Sequence, residues 1–287
     1  MARPLRRPER RDHSGGMAPG RPLTVLQVSP HPDDEAIAVP ATLLGLRAAG
    51  HRVVNLACSL GRPEDAARRR AEVERACRRA RWQLIVHEPP LGLSGGDDRA
   101  AAQAALTATL QDLIATRAVD ILVAPSPHDG HHGHEVVGRA ARDAVARLER
   151  PPCLWLWGIW ADLPFPTLYS GFGRRRLWRA LWLLSAHRGE LARNDYRVLV
   201  RGRAAANRVL GAERVFGFGA RGRRLPYAEL LTEVTRRDGA WRSGVPRELD
   251  ARAPLAGLAP GPPIGWWLDA PSAADHRARA GSGPARP

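Results

Sequence analysis

Short apolar runs alternate with helical stretches of about a dozen residues or more between residues 23 and 159, and this alternation confines the chain to a sheet built from crossover connections. Strands are expected at 23–28, 52–58, 84–87, 119–124 and 153–159, with helices at 35–48, 64–81, 100–116 and 134–148 between them. Gly50 supplies a stop after the first helix. Beyond residue 160 the pattern weakens. Helices are expected over 176–191 and 196–210, a late strand over 214–218 and a last short helix over 225–236. Core packing is the favoured role for most of the aromatic cluster from Trp155 to Trp182, with pocket lining as the alternative.

The expected fold is therefore α/β, a Rossmann-like, mostly parallel sheet flanked by helices. In such sheets a ligand binds outside the carboxyl ends of the strands. Two polar loops fall there, one after the first strand and one after the fourth, which places the expected active site on that edge.

The first loop is Ser29-Pro30-His31-Pro32-Asp33-Asp34-Glu35. A catalytic zinc needs three protein ligands and one open position. His31 and Asp34 stand three residues apart and can reach one ion from a turn stiffened by Pro30 and Pro32. Asp33 adds a second carboxylate, and adjacent acids repel unless a cation offsets them or one is protonated. The structural alternative is that Asp33 or Asp34 caps the following helix.

The second loop, from Pro125 to Glu135, contains four of the ten histidines. His131 and His134 are three apart at an expected helix N-terminus, so both can face one side. His134-Glu135 begins like a metalloprotease helix, but the second histidine of that motif is missing.

Together these loops resemble the PIG-L/LmbE-like deacetylases. Pro30 to Glu35 is similar to the family's (A/S)-H-P-D-D-E, and Asp129 to Arg139 to its D-G-H-P-D-H-x-x-x-G-R. Weaker likenesses lie at Arg69 to Glu72, Ala186 to Arg188 and Tyr227 to Glu229. The resemblance implies His31, Asp34 and His134 as metal ligands and Asp33 as general base. His131 would polarise the amide oxygen or protonate the leaving amine, and Arg69 would contact substrate. The implied cofactor is zinc, with Fe2+ as the alternative, and the implied substrate a small-molecule conjugate of an N-acetylated amino sugar. Other N-acylated metabolites, and a catalytically impaired binding protein on the same fold, are the competing readings. One departure bears on the site: His132 and Gly133 replace the Pro and Asp of H-P-D-H. Asp129 or His128 is the expected substitute for tuning His131.

The net charge of +15 suggests a polyanion partner, yet the 44 basic residues contain no lysine. Arginine without lysine, beside abundant Ala, Gly and Pro, fits codon usage of a GC-rich genome better than selection for binding. No specific nucleic-acid partner is expected, and a homo-oligomer is left open. Cys58, Cys77 and Cys153 are scattered singly, which argues against a disulfide framework or a cysteine zinc site. With no secretory signal pattern or apolar span in the sequence, the expected location is cytoplasmic. The domain is expected over 22–250, between a disordered basic arm at 1–21, where Met17 offers a second start, and a poorly ordered tail at 251–287.

Overall fold

A computed structural model of the chain describes residues 21–221, 223–255 and 258–271. Residues 1–20 of the expected arm, with Met17, and the tail beyond residue 271 lie outside the described residues. The elements run β1 (Thr24–Ser29), α1 (Asp34–Ile37), α2 (Pro40–Ala48), β2 (Arg52–Ala57), α3 (Pro63–Ala80), β3 (Gln83–Val86), α4 (Arg99–Arg117), β4 (Ile121–Pro125), α5 (His132–Ala146) and β5 (Cys153–Trp157). They continue through β6 (Leu168–Phe172), α6 (Arg174–Leu184), α7 (Arg188–Arg193), α8 (Tyr196–Phe216), β7 (Tyr227–Arg237), β8 (Ala240–Gly244), β9 (Arg247–Glu248), β10 (Pro260–Pro263) and α9 (Gly265–Leu268).

Strands β3, β2, β1, β4 and β5 lie side by side and parallel, and β7, β8 and β10 extend the sheet in antiparallel fashion beyond β5. Alternation along β1 divides the core. Val25 packs with α2, α3 and α6 on one face, whereas Leu26 and Val28 pack with α4, α5 and α9 on the other. From β1 the chain steps outward to β2 and β3, then returns to β4 on the opposite side of β1. The strand order reverses between β1 and β4, so the loops leaving them part and open a crevice. Those are the loops that begin at Pro30 and Ser126. The fold therefore brings together two segments separated by about a hundred residues of sequence.

Four local expectations are corrected. The single helix over 35–48 is two helices, because Pro40 opens α2 and excludes helical geometry from Val39, whose φ is −139°. Residues 176–191 likewise form two helices, α6 and α7. Residues 214–216 are the last turn of α8, which stops at Gly217 with φ 97°. The expected helix over 225–236 is β7, paired with β5, β6 and β8. Its Thr232, Val234 and Thr235 suit a strand, and pairing on both sides outweighs the helix-forming residues around them.

Part of the expected tail is also ordered. β10 pairs with β8, and α9 buries Trp267 and Leu268 in the core shared with α4 and α5. The carbonyl oxygens of Trp267 and Leu268 lie 2.7 Å from His128 Nε2 and 2.9 Å from Arg142 Nη1. This segment thus braces the loop after β4. The three cysteines are buried and free. Of the aromatic cluster, Trp155, Trp157, Tyr169 and Phe172 are core residues, whereas Trp160, Phe165, Trp178 and Trp182 are exposed. Among the described residues, no helix is long and apolar enough to cross a membrane.

Candidate metal centre and active site

A cavity of about 190 Å³ opens at the crevice between β1 and β4, and His31, Asp33, Asp34, Arg69, His131 and His134 all line it. Thus all six residues singled out in the sequence meet in one place. Glu190, Arg193 and Tyr196 from α7 and α8 complete the wall, with Ile37, Ile159 and Trp160. None of these last six carries a motif; only their position in the fold places them here.

The first loop is under backbone strain. Asp33 has φ 133°, a region costly to non-glycine residues by roughly 1–3 kcal/mol. Its side chain makes no bond to the helix it precedes, so capping does not account for it. The strain is held by the residues around it. Asp33 N–H donates to Glu35 Oε2 at 3.0 Å, and Glu35 Oε1 is 2.6 Å from Nε2 of His187, the residue that precedes α7. Glu35 and His187 are fully buried. His187, whose neighbourhood carried one of the weaker sequence likenesses, therefore secures the loop from behind.

Asp34 stands between two imidazoles. Its Oδ2 accepts the backbone N–H of His31 at 2.9 Å and lies 3.4 Å from His31 Nδ1, while Oδ1 lies 3.4 Å from His134 Nε2. One donor atom each from His31, His131 and His134 also falls within 4.8 Å of the others. His134 Nδ1 is 2.7 Å from Asp129 Oδ2, which leaves Nε2 facing Asp34 and the cavity. A carboxylate behind a histidine in this way fixes its tautomer and orientation, as is common at metal sites.

Electrostatics give the same picture. Burial and the neighbouring Asp34 push the Asp33 carboxyl well above its usual range. Burial would also raise Asp34, but His134 and His31 outweigh it and hold that carboxyl far below the ordinary value. Burial opposes a charged His134, yet Asp34 and Asp129 raise it to about 10. Burial, with His134, His31 and His132, pushes His131 down to about 3, and its Nδ1 is buried without a partner among the described residues. The donor types, their convergence and the carboxylate behind His134 fit a divalent ion such as zinc.

The departure at Gly133 has a steric counterpart. A Cβ there would come within 3.0 Å of His31 Cε1 and 3.2 Å of Leu93 O. The His31 ring and the Leu93 backbone occupy the room a side chain would need. Neither expected substitute reaches His131: Asp129 serves His134, and His128 lies against the Trp267 carbonyl. Arg69 enters the wall with both terminal nitrogens engaged, Nη2 on Pro32 O at 3.1 Å and Nη1 on Glu190 at 2.9 Å, and stands 3.8 Å from Asp33.

Residues 26–145 match the model of the family described as PIG-L: GlcNAc-PI de-N-acetylase. No curated protein matches the chain. Among solved structures, the zinc-inhibited form of teicoplanin deacetylase Orf2 is similar at 15% identity and a TM-score of 0.58, over 75% of this chain and 99% of that one. The N,N'-diacetylchitobiose deacetylase of Pyrococcus horikoshii is similar at 18% identity and a TM-score of 0.52, over 73% and 83%. GalB, the 4-carboxy-2-hydroxymuconate hydratase of Pseudomonas putida KT2440, is similar at 16% identity and a TM-score of 0.56, over 75% and 97%. At these identities the likeness is one of fold.

Proposed function

We propose that this chain, which carries a PIG-L family domain over residues 26–145, is a metal-dependent hydrolase that removes the acetyl group from an N-acetylated amino sugar. The observation that carries the reading is the meeting, in one cavity, of the His31, Asp34 and His134 donors with Asp33, a buried carboxylate bound to no helix end. The family match supports it, as do deacetylases among proteins of the same fold. The hydratase on that fold means that architecture alone leaves the reaction open, so the assignment rests on the site.

In this proposal His31, Asp34 and His134 hold the ion. A divalent ion there would polarise the acyl oxygen and make water more acidic. Asp33 accepts a proton from the attacking water as the new C–O bond forms. It then returns that proton to the nitrogen as the C–N bond breaks, because an amide nitrogen departs readily only when protonated. The products are acetate and a free amine. His131, neutral at ordinary pH, is suited to donate an N–H to the acyl oxygen as charge develops there. That role suits it better than proton delivery as an imidazolium. Arg69 keeps a positive charge beside Asp33 and steadies its loop through Pro32.

The test is to incubate the zinc-supplemented full chain with a panel of N-acetylglucosaminides and N-acylated glycosides, measuring acetate and primary amine together. Equal amounts of both from at least one acetamido sugar are expected. Hydration of an unsaturated acid with no acetate release from the panel would contradict the proposal.

A further inference from the structure

The connection between β5 and β6 carries Trp160 to the cavity, where it lines the wall beside Ile37 and Ile159 and stays 53% exposed. A singly exposed tryptophan is unremarked on most surfaces. This one lies at a reaction cavity, its ring 6.2 Å from that of His131 and inclined to it by 27°. Its backbone is held in place. Asp129 Oδ1 accepts the N–H groups of Ile159, Trp160 and Ala161 at 2.7, 3.1 and 3.3 Å. The other oxygen of the same carboxylate is the partner of His134. One buried acid therefore fixes both a proposed ligand and the aromatic wall, and the distance between them is set before substrate arrives.

The polar part of the cavity is also arranged in advance. Glu190 accepts from Arg69 and Arg193 at 2.9 and 2.8 Å, and Arg193 Nη2 donates to the Tyr196 hydroxyl at 2.8 Å. A wall with one flat apolar surface and one group of fixed donors and acceptors matches a ring with a C–H face and a rim of hydroxyls. A flexible chain amide offers no such face.

We infer that Trp160 is the platform for the apolar face of a pyranose, and that it selects ring-closed acetamido sugars by placing their acetyl group beside Asp33 and His131. The inference rests on the deacetylase reading and adds to it the residue that discriminates the form of the sugar. Trp160 would act on binding more than on bond cleavage.

Acetate release is measured for the parent chain, Trp160→Ala and Trp160→Phe, on methyl N-acetylglucosaminide and on open-chain N-acetylglucosaminitol. Trp160→Ala is expected to raise KM for the pyranoside about tenfold or more, with a smaller change in kcat and little change for the open-chain compound. Trp160→Phe, which keeps a flat ring, should recover most of the loss. An unchanged pyranoside KM in Trp160→Ala, or an equal loss on both compounds, would overturn the inference. Should the parent release no acetate, the deacetylase reading fails separately, and calorimetric binding of the methyl glycoside decides the rest. Binding that Trp160→Ala weakens supports the platform; absent binding, or equal binding by both proteins, overturns it.

Discussion

Asp33→Asn is expected to lower acetate release by about 10²- to 10⁴-fold while the protein retains its metal. The substitution removes the proton acceptor and little else. Asparagine is nearly the same size, tolerates positive φ better than most residues, and keeps the backbone N–H that donates to Glu35. The acid limb that Asp33 gives the pH–rate profile should disappear with it. Stability should move the other way. Burial and Asp34 raise the Asp33 pKa in the folded chain. An acid so shifted contributes stability below its unfolded pKa, and that contribution is lost as pH rises through the folded value. The metal-free Asn variant should therefore be at least as stable as the parent near pH 7, with the difference shrinking in acid. Turnover close to that of the parent in a metal-loaded variant would remove Asp33 from the role of base.

Asp129→Asn should weaken metal binding by about 10- to 100-fold without unfolding the domain. Asp129 Oδ2 receives the proton on His134 Nδ1, which makes Nε2, facing Asp34 and the cavity, the nitrogen that gives up its proton when an ion binds. An asparagine can keep its oxygen on the N–H groups of Ile159, Trp160 and Ala161. Its amide nitrogen then meets His134 Nδ1 and donates to it. The imidazole is driven to the tautomer protonated at Nε2, the nitrogen proposed to bind the ion. Metal content after dialysis against a defined chelator concentration measures the effect, and excess zinc should restore part of the activity. A variant that holds metal as tightly as the parent would show that His134 needs no such support.

The parts of this molecule legible in its sequence are those set by local chemistry. The parallel strands appear as short apolar runs, since strands buried on both faces need no polar alternation. The two polar loops are equally visible, because His31, Asp33, Asp34, His131 and His134 stand close together in two short segments. What the sequence concealed depends on distant pairing. β7 reads as a helix until β5, β6 and β8 are seen beside it, and residues 258–271 read as tail until β10 finds β8.

The supporting residues were hidden for the same reason. Glu35 lies 152 positions from His187, and Asp129 stands about thirty before the loop it secures. Composition cannot separate a buried tryptophan from one beside a cavity, so core packing and pocket lining stay open for Trp160 until the fold places it. Asp129 and His128 are the candidates in the sequence for tuning His131, but the β4 loop turns the Asp129 carboxylate toward His134 and His128 toward the Trp267 carbonyl, and His131 is left with its Nδ1 unpaired among the described residues.

Metal titration of acetate release tests the central claim most directly. The chain is stripped with chelator, dialysed free of it, and assayed on an acetamido sugar while zinc or Fe2+ is returned in fractions of an equivalent. The account predicts an inactive starting protein and a linear recovery that levels off at one ion per chain, with His134→Ala failing to recover. Acetate release by the stripped protein at the rate of the metal-loaded one would contradict it.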